Sequence, residues 1–162
     1  MKNRGFEKVS LEQFKKDCLL VNNVEETYNN IILPKRATKH SAGYDIHTPI
    51  SFSLEPGSIF KVPLGIKAYY NIDEVLSIYV RSSVGVKYNI RMCNQVGIID
   101  SDYYNNPDNE GHLFVKLQNE GKETVTFNAG DRIVQGIFSK YLICDDDEVS
   151  EQRVGGSGST GK

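Results

Sequence analysis

Directly behind the apolar triplet Gly97, Ile98, Ile99 the chain sets Asp100, Ser101, Asp102, Tyr103 and Tyr104 in a row. A carboxylate at the end of a rigid strand is well placed as a general base, because its oxygen can take a proton from a water held beside it. Turn chemistry offers a plainer reading, since Asp and Asn both form turns readily. Other polar groups stand at similar places. Arg81, Ser82 and Ser83 follow the apolar run "LSIYV" and supply one charge and two hydroxyls, a set that suits phosphate or a structural ion pair. Asp45 follows Ala42 and Gly43, where backbone can pass close to a ligand or simply turn at the surface. Asn94 and Gly97 flank a hairpin whose backbone can read the edge of a planar base as a neighbouring strand would. Gln135 lies among apolar neighbours, so its amide must find partners in the protein or in a ligand.

The C-terminal stretch "RVGGSGSTGK" is of a different kind. Its glycines let backbone N–H groups turn toward an anion, with Arg153, Ser159 and Thr160 as side-chain complement. The same composition describes a flexible linker.

Positioning these groups requires strands. From Ile31 onward the pattern is one of short β-type runs, "NNIILP", "ISFSL", "SIFKVPLGIKAYY", "EVLSIYVRSS", "KYNIRMCNQVGIID", "GHLFVKL", "KETVTFNAG" and "RIVQGIFSKYLI", punctuated by Gly, Pro, Asn or Asp. That spacing predicts an all-β sandwich or barrel. One helix start stands out: Ser10 caps "LEQFKKDCLL", Gln13 closes a capping box, and Leu11, Phe14 and Cys18 share a face. No internal repeat is visible.

Length and composition bound the rest. A chain of 162 residues suggests a single domain with enough core to fold unaided. Its formal net charge of -2 gives no broad basic field for nucleic acid. Cys18, Cys93 and Cys144 have no metal-type spacing and read as reduced thiols of a cytoplasmic protein. The N-terminal residues lack the apolar core of a signal peptide, and no later stretch is long enough to span a bilayer, so no membrane partner is expected.

Taken in order, "AGYDI", "RSSVG", "NQVGIIDSDYY", "GDRIVQGIF" and "RVGGSGSTG" resemble the five short motifs of the homotrimeric dUTPases, the deoxyuridine triphosphate nucleotidohydrolases. The resemblance runs from about Pro34 to the C-terminus, and its third motif is the most specific. It implies a distorted jelly-roll-like β barrel with a short N-terminal helix, residues 1–152, and a flexible Gly-rich arm, residues 153–162. It implies hydrolysis of dUTP to dUMP and pyrophosphate by a homotrimer with sites at subunit interfaces and Mg²⁺ on the triphosphate. Asp100 resembles the base that activates water against the α-phosphorus, and Tyr103 the residue packed beneath the deoxyribose. Asn94 with Gly97, Ile98 and Ile99 resembles the uracil-reading hairpin. Arg81, Ser82, Ser83 and Gln135 look like phosphate contacts, and Asp45 like an acid that orients waters on Mg²⁺ without ligating it. Arg153, Ser157, Gly158, Ser159 and Thr160 resemble an arm that closes over a neighbouring site, with Arg153 on the terminal phosphate. Asp102 is left to a turn or a salt bridge.

The sequence also departs from the family. Ser157 stands where relatives carry an aromatic residue that stacks on uracil, so another ring, such as Tyr88 or Phe114, must cover the base or closure is weaker. Val80 replaces a common proline and Ser83 a common glycine. The segment from Asn105 to Gly111 lengthens the loop after Tyr103, as a lid or a subunit contact. A related superfamily reading, a dCTP deaminase or bifunctional enzyme, shares "RSS" but generally lacks the glycine-rich arm. A nucleotide-binding regulator using the same pocket is the reading outside enzymology.

Overall fold

Alternation of side chains explains most of the extended backbone. In "FVKLQN", Val115, Leu117 and Asn119 are buried while Lys116 between them faces solvent, the period of a strand packed on one face. The computed structural model describes residues 2–19 and 21–156. Its elements run β1 (Gly5–Lys8), α1 (Leu11–Asp17), α2 (Val24–Asn29), β2 (Lys35–Arg36), β3 (Tyr44–His47), β4 (Phe52–Leu54), β5 (Ile59–Pro63), β6 (Ile66–Tyr69) and β7 (Glu74–Val80). They continue with α3 (Ser82–Tyr88), β8 (Ile90–Met92), β9 (Gly97–Ile99), a 3₁₀ turn (Ser101–Tyr103), β10 (Phe114–Asn119), β11 (Val125–Phe127) and β12 (Arg132–Lys140).

All strand pairs are antiparallel. The largest sheet has the order β2-β3-β12-β7-β9; a second is β5-β10-β8, and β1-β6 and β11-β4 complete a jelly-roll-like, mostly β fold. Leu76, Ile78, Leu117, Ile133 and Val134 fill the space between layers. Phe14 of α1 is fully buried against the rings of Tyr28 and His112, a burial that contributes about 1.5–3 kcal/mol. The helix is therefore part of the core.

Ser10 caps α1 as expected, its Oγ accepting from Gln13 N at 3.1 Å. The capping box does not close. Ser10 N donates instead to Glu110 Oε2 at 2.9 Å, and the Gln13 amide donates to Asp17 Oδ2 at 2.7 Å, because a carboxylate is the stronger acceptor. The "NNIILP" strand is also absent: α2 ends at Asn29, Ile31 and Pro34 are buried three residues apart instead of in alternation, and Pro34 has no N–H for a ladder. Two helices and three strands, β1, β2 and β3, lay outside the sequence reading. α2 begins behind Asn23 and carries Glu25 and Glu26 in its first turn, which suits the helix dipole. α3 has β-branched residues and a glycine, poor helix formers, and forms over the buried Val84. β1, β2 and β3, of two to four residues each, are too short to show a period.

Candidate active site

Between β8 and β9 the chain turns at Gln95, which takes a φ of 60° and donates its N–H to Met92 O at 3.0 Å. The two strands pair into different sheets, β8 with β10 and β9 with β7, so the expected hairpin is a turn between sheets and not a paired ladder. Among the described residues β9 pairs with β7 alone, through Leu76–Ile99, Ser77–Ile98 and Ile78–Gly97. Its outer edge thus offers backbone donors and acceptors to a ligand, as strand edges do. A Cβ at Gly97 would come within 3.3 Å of Ile78 and 3.4 Å of Met92, so β9 starts close against both side chains. Tyr70 steadies its far end by donating its hydroxyl to Ile99 O at 2.6 Å.

That edge borders a cavity of about 530 Å³. Asn94, Gly97, Ile98, Ile99, Asp100, Tyr103 and Arg153 all line it. Asp100 precedes the 3₁₀ turn with extended backbone, and its side chain is more than half exposed. Arg153 donates Nη2 to Asp100 Oδ2 and Nε to Asp102 Oδ1, each at 2.8 Å, while its guanidinium lies 5.7 Å from the centre of the Tyr103 ring. These two carboxylates hold the guanidinium pKa above its usual value, the hydrogen bond to Asp102 contributing most. The salt bridge expected of Asp102 is present. Arg153 meets its own chain's acids, and among the described residues these acids have no other ion-pair partner. Tyr103 is 8% exposed and burial raises its phenol pKa.

A second cluster forms around Asp45. β3 and β12 place Asp45 opposite Gln135, and Asp45 is only 7% exposed. Its Oδ1 accepts from Arg81 Nε at 2.8 Å and its Oδ2 from Arg132 Nη1 at 3.2 Å. Asp45 is thus a buried, doubly paired carboxylate rather than part of a surface turn. Arg81 caps α3 and also reaches Ser83 Oγ at 3.4 Å; Ser82 and Ser83 are exposed. A side chain at Gly43 would collide with Gln135, so the small residue makes room for that amide.

The two clusters do not meet within the chain. Asp100 follows the Ile99–Leu76 pair near the start of β7, whereas Arg81 follows Val80 at its end. At about 3.3 Å per strand residue the separation is roughly 15–20 Å. None of Asp45, Arg81, Ser82, Ser83 or Gln135 lines the cavity. Ser157, Gly158, Ser159 and Thr160 lie outside the described residues.

The cavity has a wall that the sequence motifs did not announce. α1 contributes Gln13, Lys16 and Asp17, β5 contributes Lys61, and the lengthened loop contributes Asp108 and Asn109. The spacing of Gln13, Lys16 and Asp17 is that of one helix face, which was a legible cue. Phe114 also lines the cavity, with Lys61 Nζ 4.1 Å from its ring centre; Tyr88 lies elsewhere, beside Lys87, Asn89 and Gly121. Behind the wall His112 is fully buried. Its Nε2 accepts from Gly65 N at 2.8 Å, so Nδ1 carries the proton and donates to Asp17 Oδ2 at 2.5 Å. Burial pushes the imidazole pKa down, with Asp17 opposing. Among the described residues no three His, Cys, Asp or Glu groups form a metal cage, and no helix is long and apolar enough to cross a membrane.

Comparison with known proteins bears on these features. The dUTPase family model matches residues 29–161. A deoxyuridine 5'-triphosphate nucleotidohydrolase of Lactococcus lactis is 46% identical over 165 aligned positions, covering 99% of each chain. The crystal structure of a dUTPase from Streptococcus mutans superposes with a TM-score of 0.70 at 40% identity, covering 87% of this chain and 98% of that one. A mutant dUTPase from phage phi11 of S. aureus shares the fold alone at 18% identity, with a TM-score of 0.68 over 93% of this chain and 98% of that one. With the motifs in order, the strand edge beside Asp100 and Tyr103, and whole-length similarity of this degree, the chain belongs to the dUTPase family.

Proposed function

We propose that the chain hydrolyses dUTP to dUMP and pyrophosphate, with uracil against the free edge of β9 and the α-phosphorus beside Asp100. The observation that carries this reading is the convergence of Asp100, Tyr103 and an unpaired strand edge on one cavity. Asn94 and the backbone of Gly97, Ile98 and Ile99 pair with the uracil edge. Cytosine presents a donor where uracil has an acceptor, and thymine adds a methyl group that a close wall rejects. The ring of Tyr103 underlies the deoxyribose. Asp100 takes a proton from water, the water oxygen bonds to the α-phosphorus, and the bond from that phosphorus to the bridging oxygen breaks to release pyrophosphate.

Phosphate contacts come from Arg81, Ser82, Ser83 and Gln135, which lie too far along β7 to serve the same chain's Asp100. The site is therefore assembled between copies, in a homotrimer. The triphosphate competes with Asp100 and Asp102 for Arg153, freeing Asp100 as the arm, residues 153–162, moves onto phosphate. Mg²⁺ bound to the triphosphate would neutralise charge there. Asp45 suits it only through water, since each carboxylate oxygen already accepts from an arginine, and hydrated Mg²⁺ favours such indirect contacts. A structural Mg(II) ion is described for the phi11 neighbour. The free thiols at Cys18, Cys93 and Cys144 suit a cytoplasmic setting.

Pyrophosphate release measured across all dNTPs, with and without Mg²⁺, tests the reading. Release is expected from dUTP alone. Asp100→Asn keeps shape without basicity, so nucleotide binding should survive while turnover drops about 10²–10⁴-fold. Near-normal turnover in that variant would place the base elsewhere.

A further inference from the structure

The loop from Asn105 to Gly111 folds back on Tyr103. Asn106 is 5% exposed; its Nδ2 donates to Tyr103 O and to Asn109 Oδ1, each at 2.8 Å, and its Oδ1 accepts from the N–H of Asp108 and Asn109 at 3.1 Å. Side-chain bonds of this kind suffice to close a turn. Asn109 Oδ1 completes it by accepting from Gly111 N at 3.1 Å. Gly111 has a φ of 82°, and a Cβ there would lie 2.6 Å from Tyr103 O, so only glycine lets the loop lie this close.

One bond is unnecessary for the turn. Asn109 Nδ2 donates to Tyr103 Oη at 2.8 Å, while Tyr103 Oη donates its own proton to His112 O at 3.0 Å. The phenol is thereby held from both sides, and the ring cannot tilt without breaking a buried hydrogen bond. Asn109 also lines the cavity and touches the arm: a Cβ on Gly156 would come within 3.4 Å of Asn109 Nδ2 and 2.6 Å of Asp108 Oδ2. Loop, sugar platform and arm are thus in contact.

We propose that Asn109 is a positioning residue for sugar selection, clamping Tyr103 so that its ring leaves no room for a 2′-hydroxyl. The proposal rests on the assignment of Tyr103 to the deoxyribose. A fixed ring excludes the added oxygen by steric contact, whereas a ring free to tilt yields space. The lengthened loop then sharpens the preference for dUTP over UTP.

Asn109→Asp isolates the clamp. It keeps the acceptor that Asn106 and Gly111 use but can only accept from Tyr103 Oη, whose single proton cannot serve both that carboxylate and His112 O, so the hold from both sides is lost. Tyr103→Phe removes the same bond from its other end, together with the bond to His112 O, and leaves the turn intact. Values of kcat/KM for dUTP and UTP are measured for both variants, their combination and Tyr103→Ala, with urea midpoints as the folding control. The dUTP-to-UTP ratio should fall about 5–10-fold in Asn109→Asp. A fall at least as large is expected in Tyr103→Phe, with little further loss in the double variant, because the phenol that Asn109 holds is already gone. An unchanged ratio in Asn109→Asp, or an equal loss on both substrates, would overturn the proposal. If Asn109→Asp does not fold, an unchanged ratio in Tyr103→Phe overturns it. An unchanged ratio in Tyr103→Ala would instead remove Tyr103 from the sugar subsite, and the proposal with it.

Discussion

Tyr103 is shaped by what surrounds it: a phenol held by Asn109 and His112 below, a guanidinium across its face, and a cavity in front. On the proposed placement of the deoxyribose over its ring, truncating it opens volume where a 2′-hydroxyl would otherwise collide. In Tyr103→Ala the ratio of dUTP to UTP turnover should therefore fall by more than in Tyr103→Phe, as read from steady-state rates on both nucleotides. That Asp100 and Tyr103 share one cavity was legible because the motif keeps them within a few positions of one strand end. Asp102, too, was readable as a salt-bridge acid. Asn109 was not, since its amide is set by a loop fold that composition leaves open, and Asp17 reaches the cavity at the end of α1, where it meets His112.

At the scale of elements, strands β4 to β12 followed from apolar runs between turn residues, and α1 from Ser10. α3 was hidden because "SSVGVKY" reads poorly as a helix, and it forms where Val84 finds the core. The function of α1 was equally hidden, although its polar face lines the cavity. His112 ties that helix to β10, its imidazole neutral between Gly65 N–H and Asp17, with Lys61 and Glu110 also near enough to act on it. Because burial lowers its pKa in the folded chain, the unfolded chain takes the proton first. The stabilisation is fully present above about pH 6.5 and is lost as pH falls through the folded value. Urea midpoints between pH 7.5 and 5 should thus decline more steeply for the wild type than for His112→Gln, whose amide can keep both bonds. Parallel curves would remove His112 from the pH response.

For the whole molecule, the arrangement of β7 matters most. It carries the Asp100 group beside its first residues and the Arg81 group beyond its last, so on the proposed reading a single chain holds two separate halves of a site. The sequence motifs list both halves without showing that they are apart, because linear order says nothing about which end of a strand a group occupies. If dUTP is held between copies, damage to different halves in different chains must be repairable. Asp100→Asn and Arg81→Ala chains, each nearly inactive alone, would be co-expressed with distinct tags and purified as mixed assemblies. The mixed species should recover a substantial fraction of wild-type pyrophosphate release from dUTP, because some interfaces unite an intact Asp100 with an intact Arg81. Recovery no greater than the sum of the two single variants would contradict a site assembled between chains.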